Sequence, residues 1–228
     1  MKHNFKEIYN DYSGAALREE LINVCKAGSF ETAQYLLENT KIREEGNDLC
    51  LYYGPALIGA VEYGNLELTK YLVNFLDWQE RRSLSNSNTT ALISACWNGN
   101  LEIVKYLLTA PEMDKLINIH MNNDDALANA CSKEHLDVVK YLMESKDIKE
   151  NAKFNISIFK MLVNHKQSDM LQYFIIDLNI EKTEEIEKYL LESPNKEVET
   201  LFKARDLIKD LNNNLLHQEN LKIKKNKL

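Results

Sequence analysis

Glycine and proline are scarce in this chain, seven and three residues of 228. So few breakers leave little material for β-turns or flexible linkers, while long stretches rich in Leu, Glu, Lys and Ala favour helices. An all-α protein is expected. Cysteine is also sparse, four residues without any C-x-x-C spacing, so there is no disulfide framework and a reducing cytosol fits. No run approaches the roughly 18 apolar residues of a membrane span, and the opening MKHNFKEIYNDYSG has no apolar core of signal-peptide length. A cytoplasmic location is expected, and export into a host cell by a system that reads other signals is compatible with it. Positive charge is in deficit: the net charge of −7 disfavours nucleic acid, whose phosphates require a basic face. Chemical motifs are missing as well. There is no nucleophile beside an orienting base, no phosphate loop and no H-E-x-x-H pair, so the chain is expected to be non-catalytic, without cofactor or small-molecule substrate.

What is present is a repeat. ALIGAVEYGNLELTKYLV from Ala56, ALISACWNGNLEIVKYLL from Ala91 and ALANACSKEHLDVVKYLM from Ala126 place Tyr71, Tyr106 and Tyr141 at intervals of 35 residues. Two further copies extend the series, ELINVCKAGSFETAQYLL with Tyr35 and the degraded IFKMLVNHKQSDMLQYFI with Tyr173. In the copy from Ala91, Leu92, Ala95 and Cys96 share one face of a short helix, Gly99 suits the left-handed end of it, and Leu101, Val104, Leu107 and Leu108 form the apolar stripe of a second. Such an αα-hairpin is too small to bury its faces alone, so the copies must stack into a solenoid.

The ankyrin spacing is a period near 33 with two helices per unit, and this repeat resembles it. The T-P-L-H-x-A signature of that family is matched by Thr90, Leu92 and Ala95, with Ala91 and Ile93 in place of its Pro and His, and its G-H-L-E-I-V element by Gly99, Leu101, Glu102, Ile103 and Val104. The copy from Ala56 keeps Leu57, Ala60, Gly64 and Leu66, and that from Ala126 keeps Leu127, Ala130, Leu136, Val138 and Val139. The expected architecture is an ankyrin-type αα-hairpin solenoid of about five repeats with helical caps: a cap segment over 1–16, the array over 17–178, a helical cap over 179–216 and a basic frayed tail over 217–228. The family pattern is departed from in two ways. The connections NTKIREEGNDLCLYYGP and TAPEMDKLINIHMNNDD are long and irregular, and Glu134 and Lys166 stand where Gly64 and Gly99 end the first helix. At those two positions the helix either runs on or carries roughly 1 kcal/mol of strain. In the C-terminal cap, Val198, Leu201, Phe202, Ile208, Leu211 and Leu215 make one broad stripe, as expected of a covering helix.

The repeat also sorts the candidate chemistry. Cys25, Cys96 and Cys131 fall on one repeat position that Val61 and Val163 occupy in the other copies, so the site wants a small apolar residue rather than a metal ligand, and no metal is expected. The tyrosines precede core residues on the second helices, which reads as packing between repeats with an exposed hydroxyl rather than a stacking platform. The resemblance implies a concave surface built from hairpin tips and from the two residues before the first-helix glycine. Carried onto this sequence, those pairs are Lys26 and Ala27, Glu62 and Tyr63, Trp97 and Asn98, Ser132 and Lys133, and Asn164 and His165. They vary while the core repeats. The expected partner-binding residues are Glu62, Tyr63, Trp97, Asn98, Ser132 and Lys133, with Tyr63 and Trp97 as aromatic anchors for a protein partner of a monomeric chain. The bland reading of Trp97 is that it packs on the next hairpin. A second functional reading makes the KIKKNK tail an electrostatic scaffold for nucleic acid or an anionic membrane, against the acidity of the body. Divergent arrays rich in Asn, Lys and Ile resemble those of intracellular bacteria and large viruses, which implies an effector acting on host proteins.

Overall fold

The computed structural model describes residues 5–38, 52–113, 115–144 and 155–225, with the side chains of 78, 79, 123 and 217–225 left out. All regular elements among them are helical. The chain divides into two compact units, Met1–Asn151 and Ala152–Leu228.

In the first unit, a short α1 (Phe5–Tyr9) precedes four hairpins. These are α2 (Gly14–Lys26) with α3 (Phe30–Glu38), α4 (Tyr53–Tyr63) with α5 (Leu66–Phe75), α7 (Ser85–Trp97) with α8 (Leu101–Thr109), and α9 (Met121–Ser132) with α10 (Leu136–Glu144). The first helices pack in order, α2 on α4, α4 on α7 and α7 on α9, and among the second helices α5 meets α8 and α8 meets α10. The second unit contains α11 (Ile156–Asn164), α12 (Ser168–Gln172) running into a π-helical turn (Tyr173–Asp177), α13 (Glu184–Glu192) and α14 (Lys196–Lys225).

All five hairpins turn the same way. After each first helix a residue takes the left-handed conformation: Gly28 (φ 70°), Gly64 (81°), Gly99 (71°), Glu134 (62°) and Lys166 (55°). In each, the amide of that residue bonds to the carbonyl three back and the next amide to the carbonyl five back, as in Gly99 to Cys96 and Asn100 to Ala95, or Lys166 to Val163 and Gln167 to Leu162. This is the Schellman closure that satisfies the last carbonyls of a helix. Glu134 and Lys166 therefore hold the strained alternative: their helices stop where the glycine copies stop.

The core follows the repeat. Leu92, Ala95 and Cys96 are buried, as are Cys25 and Cys131 and their counterparts Val61 and Val163. On α8 the buried face is Ile103, Val104 and Leu107, whereas Leu101 and Leu108 are half-buried, so the stripe is rotated by a fraction of a turn from the expected one. Burial raises all three thiols, each pushed up to about 12, since an apolar surrounding penalises the thiolate. The tyrosines brace neighbouring hairpins: the Tyr71 ring meets Phe30 edge-on at 5.3 Å, and its hydroxyl donates to Glu38 Oε1 at 3.3 Å. At Tyr106 the expected exposed hydroxyl is corrected, because that oxygen is buried beside α5, whose Lys70 ammonium lies 5.6 Å from the ring.

Three departures have local causes. α7 begins at Ser85, nearly two turns before Ala91, because Thr89 and Thr90 return their hydroxyls to the carbonyls of Ser85 and Asn86 and so do not end the helix. Before it stands α6 (Trp78–Ser83), opened by a capping box in which Asp77 and Glu80 each accept the other's amide proton at 2.9 Å. The connection after α8 is anchored rather than loose: Ala110, Met113, Leu116 and Ile119 are buried, and the Asn118 amide donates to Thr89 Oγ1 at 3.0 Å. Most of the connection after α3, with Cys50, lies outside the described residues.

In the second unit the covering-helix expectation holds only at the start of α14. Val198 and Phe202 are buried, but Ile208, Leu211 and Leu215 are exposed. Nor does the backbone fray from residue 217; helix continues to Lys225, as a stretch without glycine or proline after Pro194 permits.

Candidate functional site

The six residues singled out above lie at the C-terminal ends of α4, α7 and α9, where the Schellman turns stop three neighbouring first helices. Glu62, Tyr63, Trp97, Asn98 and Lys133 are exposed, and Ser132 is half-buried. Tyr63 leaves 60 % of its surface to solvent and Trp97 47 %, so neither ring is spent on the core. The pair at the end of α2, Lys26 with Ala27, is exposed too, as are Asn164 and His165 in the other unit.

Each ring is nevertheless held. Tyr63 lies across Gly28 in the preceding hairpin so closely that a Cβ there would come within 2.1 Å of the ring. The Lys133 ammonium sits over Trp97, 3.8 Å from the centroid, a cation–π contact made from the following hairpin. The structure thus brings Trp97 and Lys133 together and seats Tyr63 on the turn of α2. Asn98 instead folds back on its own helix, donating to Ser94 O at 2.8 Å, and the Ser132 hydroxyl donates to Asn129 O at 3.0 Å. The Lys133 contact is the packing on the next hairpin that the bland reading expects, and the 47 % of Trp97 left to solvent is the face that the binding reading needs.

A row of residues absent from the sequence argument positions these tips. The residue following the left-handed turn reaches back to the hairpin before it. Asn65 Nδ2 donates to Gly28 O at 3.3 Å, Asn100 Nδ2 to Val61 O at 2.8 Å, and His135 Nε2 bonds to Trp97 O at 3.0 Å. Asn65 also accepts from the Leu68 amide at 2.9 Å, capping α5. His135 lies so close to Gly99 that a Cβ there would stand 2.5 Å from Nδ1. The signal was available: Y-G-N, N-G-N and K-E-H keep a polar residue at that place in three successive copies.

The arrangement offers recognition chemistry: two aromatic faces, one stacked ammonium, a carboxylate and an amide on adjacent fixed tips. Among the described residues no group of three His, Cys, Asp or Glu side chains could hold a metal ion. No helix among them is long and apolar enough to cross a membrane. A groove of about 340 Å³ in the second unit, beside Leu190, Leu191 and Phe202, is lined by charges of both signs, with Lys182 and Glu187 3.9 Å apart.

No curated protein and no solved structure matches the chain. A family model described as ankyrin repeats in three copies matches residues 21–118 and again 57–156, together more than half of the sequence. Ankyrin repeats are in general protein–protein interaction modules. With that match, the repeated Schellman turns and the ordered packing of the first helices, the chain belongs to the ankyrin-repeat family.

Proposed function

We propose that the first unit is a non-catalytic binding module that recognises another protein through Glu62, Tyr63, Trp97, Asn98, Ser132 and Lys133. One observation carries the reading: two aromatic rings stay exposed at fixed positions on neighbouring tips although the repeat requires neither of them. Aromatic residues of this kind dominate binding energy at protein interfaces, because they present large area at little entropic cost. Trp97→Ala should weaken capture of the partner by roughly thirtyfold, the effect of a hot-spot truncation, with the melting temperature held. Tyr63→Ala should act in the same direction. A bracing residue behaves oppositely, so affinity lost only in proportion to unfolding rejects the surface.

We propose further that the protein acts as an effector on host proteins, the reading its divergent Asn- and Lys-rich array supports. Strict retention of a tagged copy inside the producing cell during infection would sink this.

A further inference from the structure

The largest anomaly outside the tips is on α14. Every residue from Asp206 to Leu216 is exposed, including Leu207, Ile208, Leu211, Leu215 and Leu216, whose exposures run from 45 to 61 %. Helices in proteins draw most of their stability from packing an apolar face, and this stretch leaves its apolar residues open. The apolar residues are not scattered. Leu201, Ala204, Ile208, Leu211 and Leu215 follow one another at steps of three, four, three and four residues, which keeps them on one face of the helix over two heptads. From 201 to 215 that face can lie along another helix.

We propose that this seam is the interface of a homodimer, in which α14 pairs with α14 of a second copy. The spacing calls for a helical partner with the same period, and a second copy supplies one in an isologous contact. Area and charge agree. On the seam, Ile208, Leu211 and Leu215, each about half exposed, present roughly 300 Å² of apolar surface, within the range of patches that mark interaction sites. With polar flanks included, two copies bury roughly 1000 Å² in total, the low end of specific interfaces where weak and transient pairs sit, so a weak Kd is expected. The seam is flanked by Asn212, Asn214 and Arg205, whose guanidinium is already engaged by Asp206 Oδ1 at 2.9 Å and by Ile180 O, while Asp206 and Asp210 lie on the opposite side by helical spacing. A helix lying on an anionic membrane is rich in Lys and Arg over its polar face, whereas between 206 and 216 that face carries Asp206 and Asp210. The sequence reading expected a monomer and, separately, a covering helix; Ile208, Leu211 and Leu215 are exposed, so this part of the stripe does not cover the chain's own core.

Sedimentation equilibrium of the full chain tests the proposal, from about 1 to about 200 μM to bracket such a Kd. The wild type should rise from its 26.5 kDa monomer mass toward twice that value. Leu211→Asp should stay at 26.5 kDa throughout, while Asp210→Asn on the opposite side should dimerise like the wild type. Far-UV circular dichroism and the melting temperature at the lowest concentration check that each variant is folded. A wild type that remains monomeric, or a Leu211→Asp variant with unchanged self-association, overturns the proposal. So does a loss of melting temperature by dilute Leu211→Asp, which would place the stripe inside the monomer. Binding of the monomer to phosphatidylserine vesicles, abolished by the same substitution, would overturn it in favour of a lipid surface.

Discussion

Glu134→Gly should stabilise the protein and Gly99→Ala should destabilise it, because the two residues occupy one backbone position in successive hairpins. Glu134 holds φ 62° and Gly99 φ 71°. A Cβ in the left-handed region costs about 1–2 kcal/mol, and glycine returns part of that by loosening the unfolded chain, about 0.4–1 kcal/mol. The balance for Glu134→Gly is a gain of about 1 kcal/mol, or roughly 2–4 °C in Tm for a chain of this size. Gly99→Ala reverses the sign and adds a collision, since the new methyl would meet the His135 ring at 2.5 Å. Moving that ring breaks its 3.0 Å bond to Trp97 O. A lost hydrogen bond of this kind is worth about 1 kcal/mol, so the total cost is about 2 kcal/mol. Thermal melts followed by far-UV circular dichroism measure both. Glu134→Ala is the control: it keeps the Cβ, relieves nothing and should leave Tm unchanged. If Glu134→Gly melts no higher than Glu134→Ala, no backbone strain is stored at this turn and the reasoning fails.

Leu107→Ala removes a fully buried side chain from α8 and should cost about 2–5 kcal/mol in urea unfolding, whereas Cys96→Val should be mild. In a Cys50→Ser background the three remaining thiols, pushed up to about 12, should resist a disulfide reagent at neutral pH until the chain is unfolded. The same shift sets a pH dependence. The folded state holds these protons more tightly than the unfolded chain does. Stability is therefore whole below about pH 9 and declines as the pH rises from 9.0 toward 12; replacing all three cysteines by valine should flatten that decline in Tm.

Much of the hairpin plan was legible because one requirement recurs. A buried position that accepts Cys25, Val61, Cys96, Cys131 and Val163 can only be a small apolar site, and the copies check one another. The turn after each first helix was legible from glycine in three copies, but not decidable at Glu134 and Lys166. There two costs of similar size compete, and the closure of the preceding carbonyls tips the balance. The start of α7 was hidden because Ser, Asn and Thr ordinarily end helices, and only the returned hydroxyls reveal otherwise. α6 announced itself in Asp77 and Glu80, yet a capping box carries little weight before a segment as short and polar as QERRS. At the candidate surface, variability among copies picked out the exposed tips. It passed over Asn65, Asn100 and His135, because a polar residue kept at one place in three copies does not name the backbone carbonyl of another repeat that it reaches. On α14 the apolar stripe was plain, but periodicity states only that a face wants covering.

The links made by Asn65, Asn100 and His135 all point one way, with the side chain in the later hairpin and the accepting carbonyl in the earlier one. Each of these three units thus arrives with a donor for its predecessor, and the predecessor answers with a carbonyl from its first-helix end: Gly28 at the turn, Val61 three residues before one, Trp97 two before one. A stretch of sequence duplicated in tandem at the repeat period meets both needs at once, so such an array can lengthen by whole units with its polar groups still matched. A duplication or deletion out of step with the period strands a donor against one helix and a carbonyl against another. The grammar of these three contacts makes the repeat, rather than the residue or the helix, the step by which this molecule can grow or shrink.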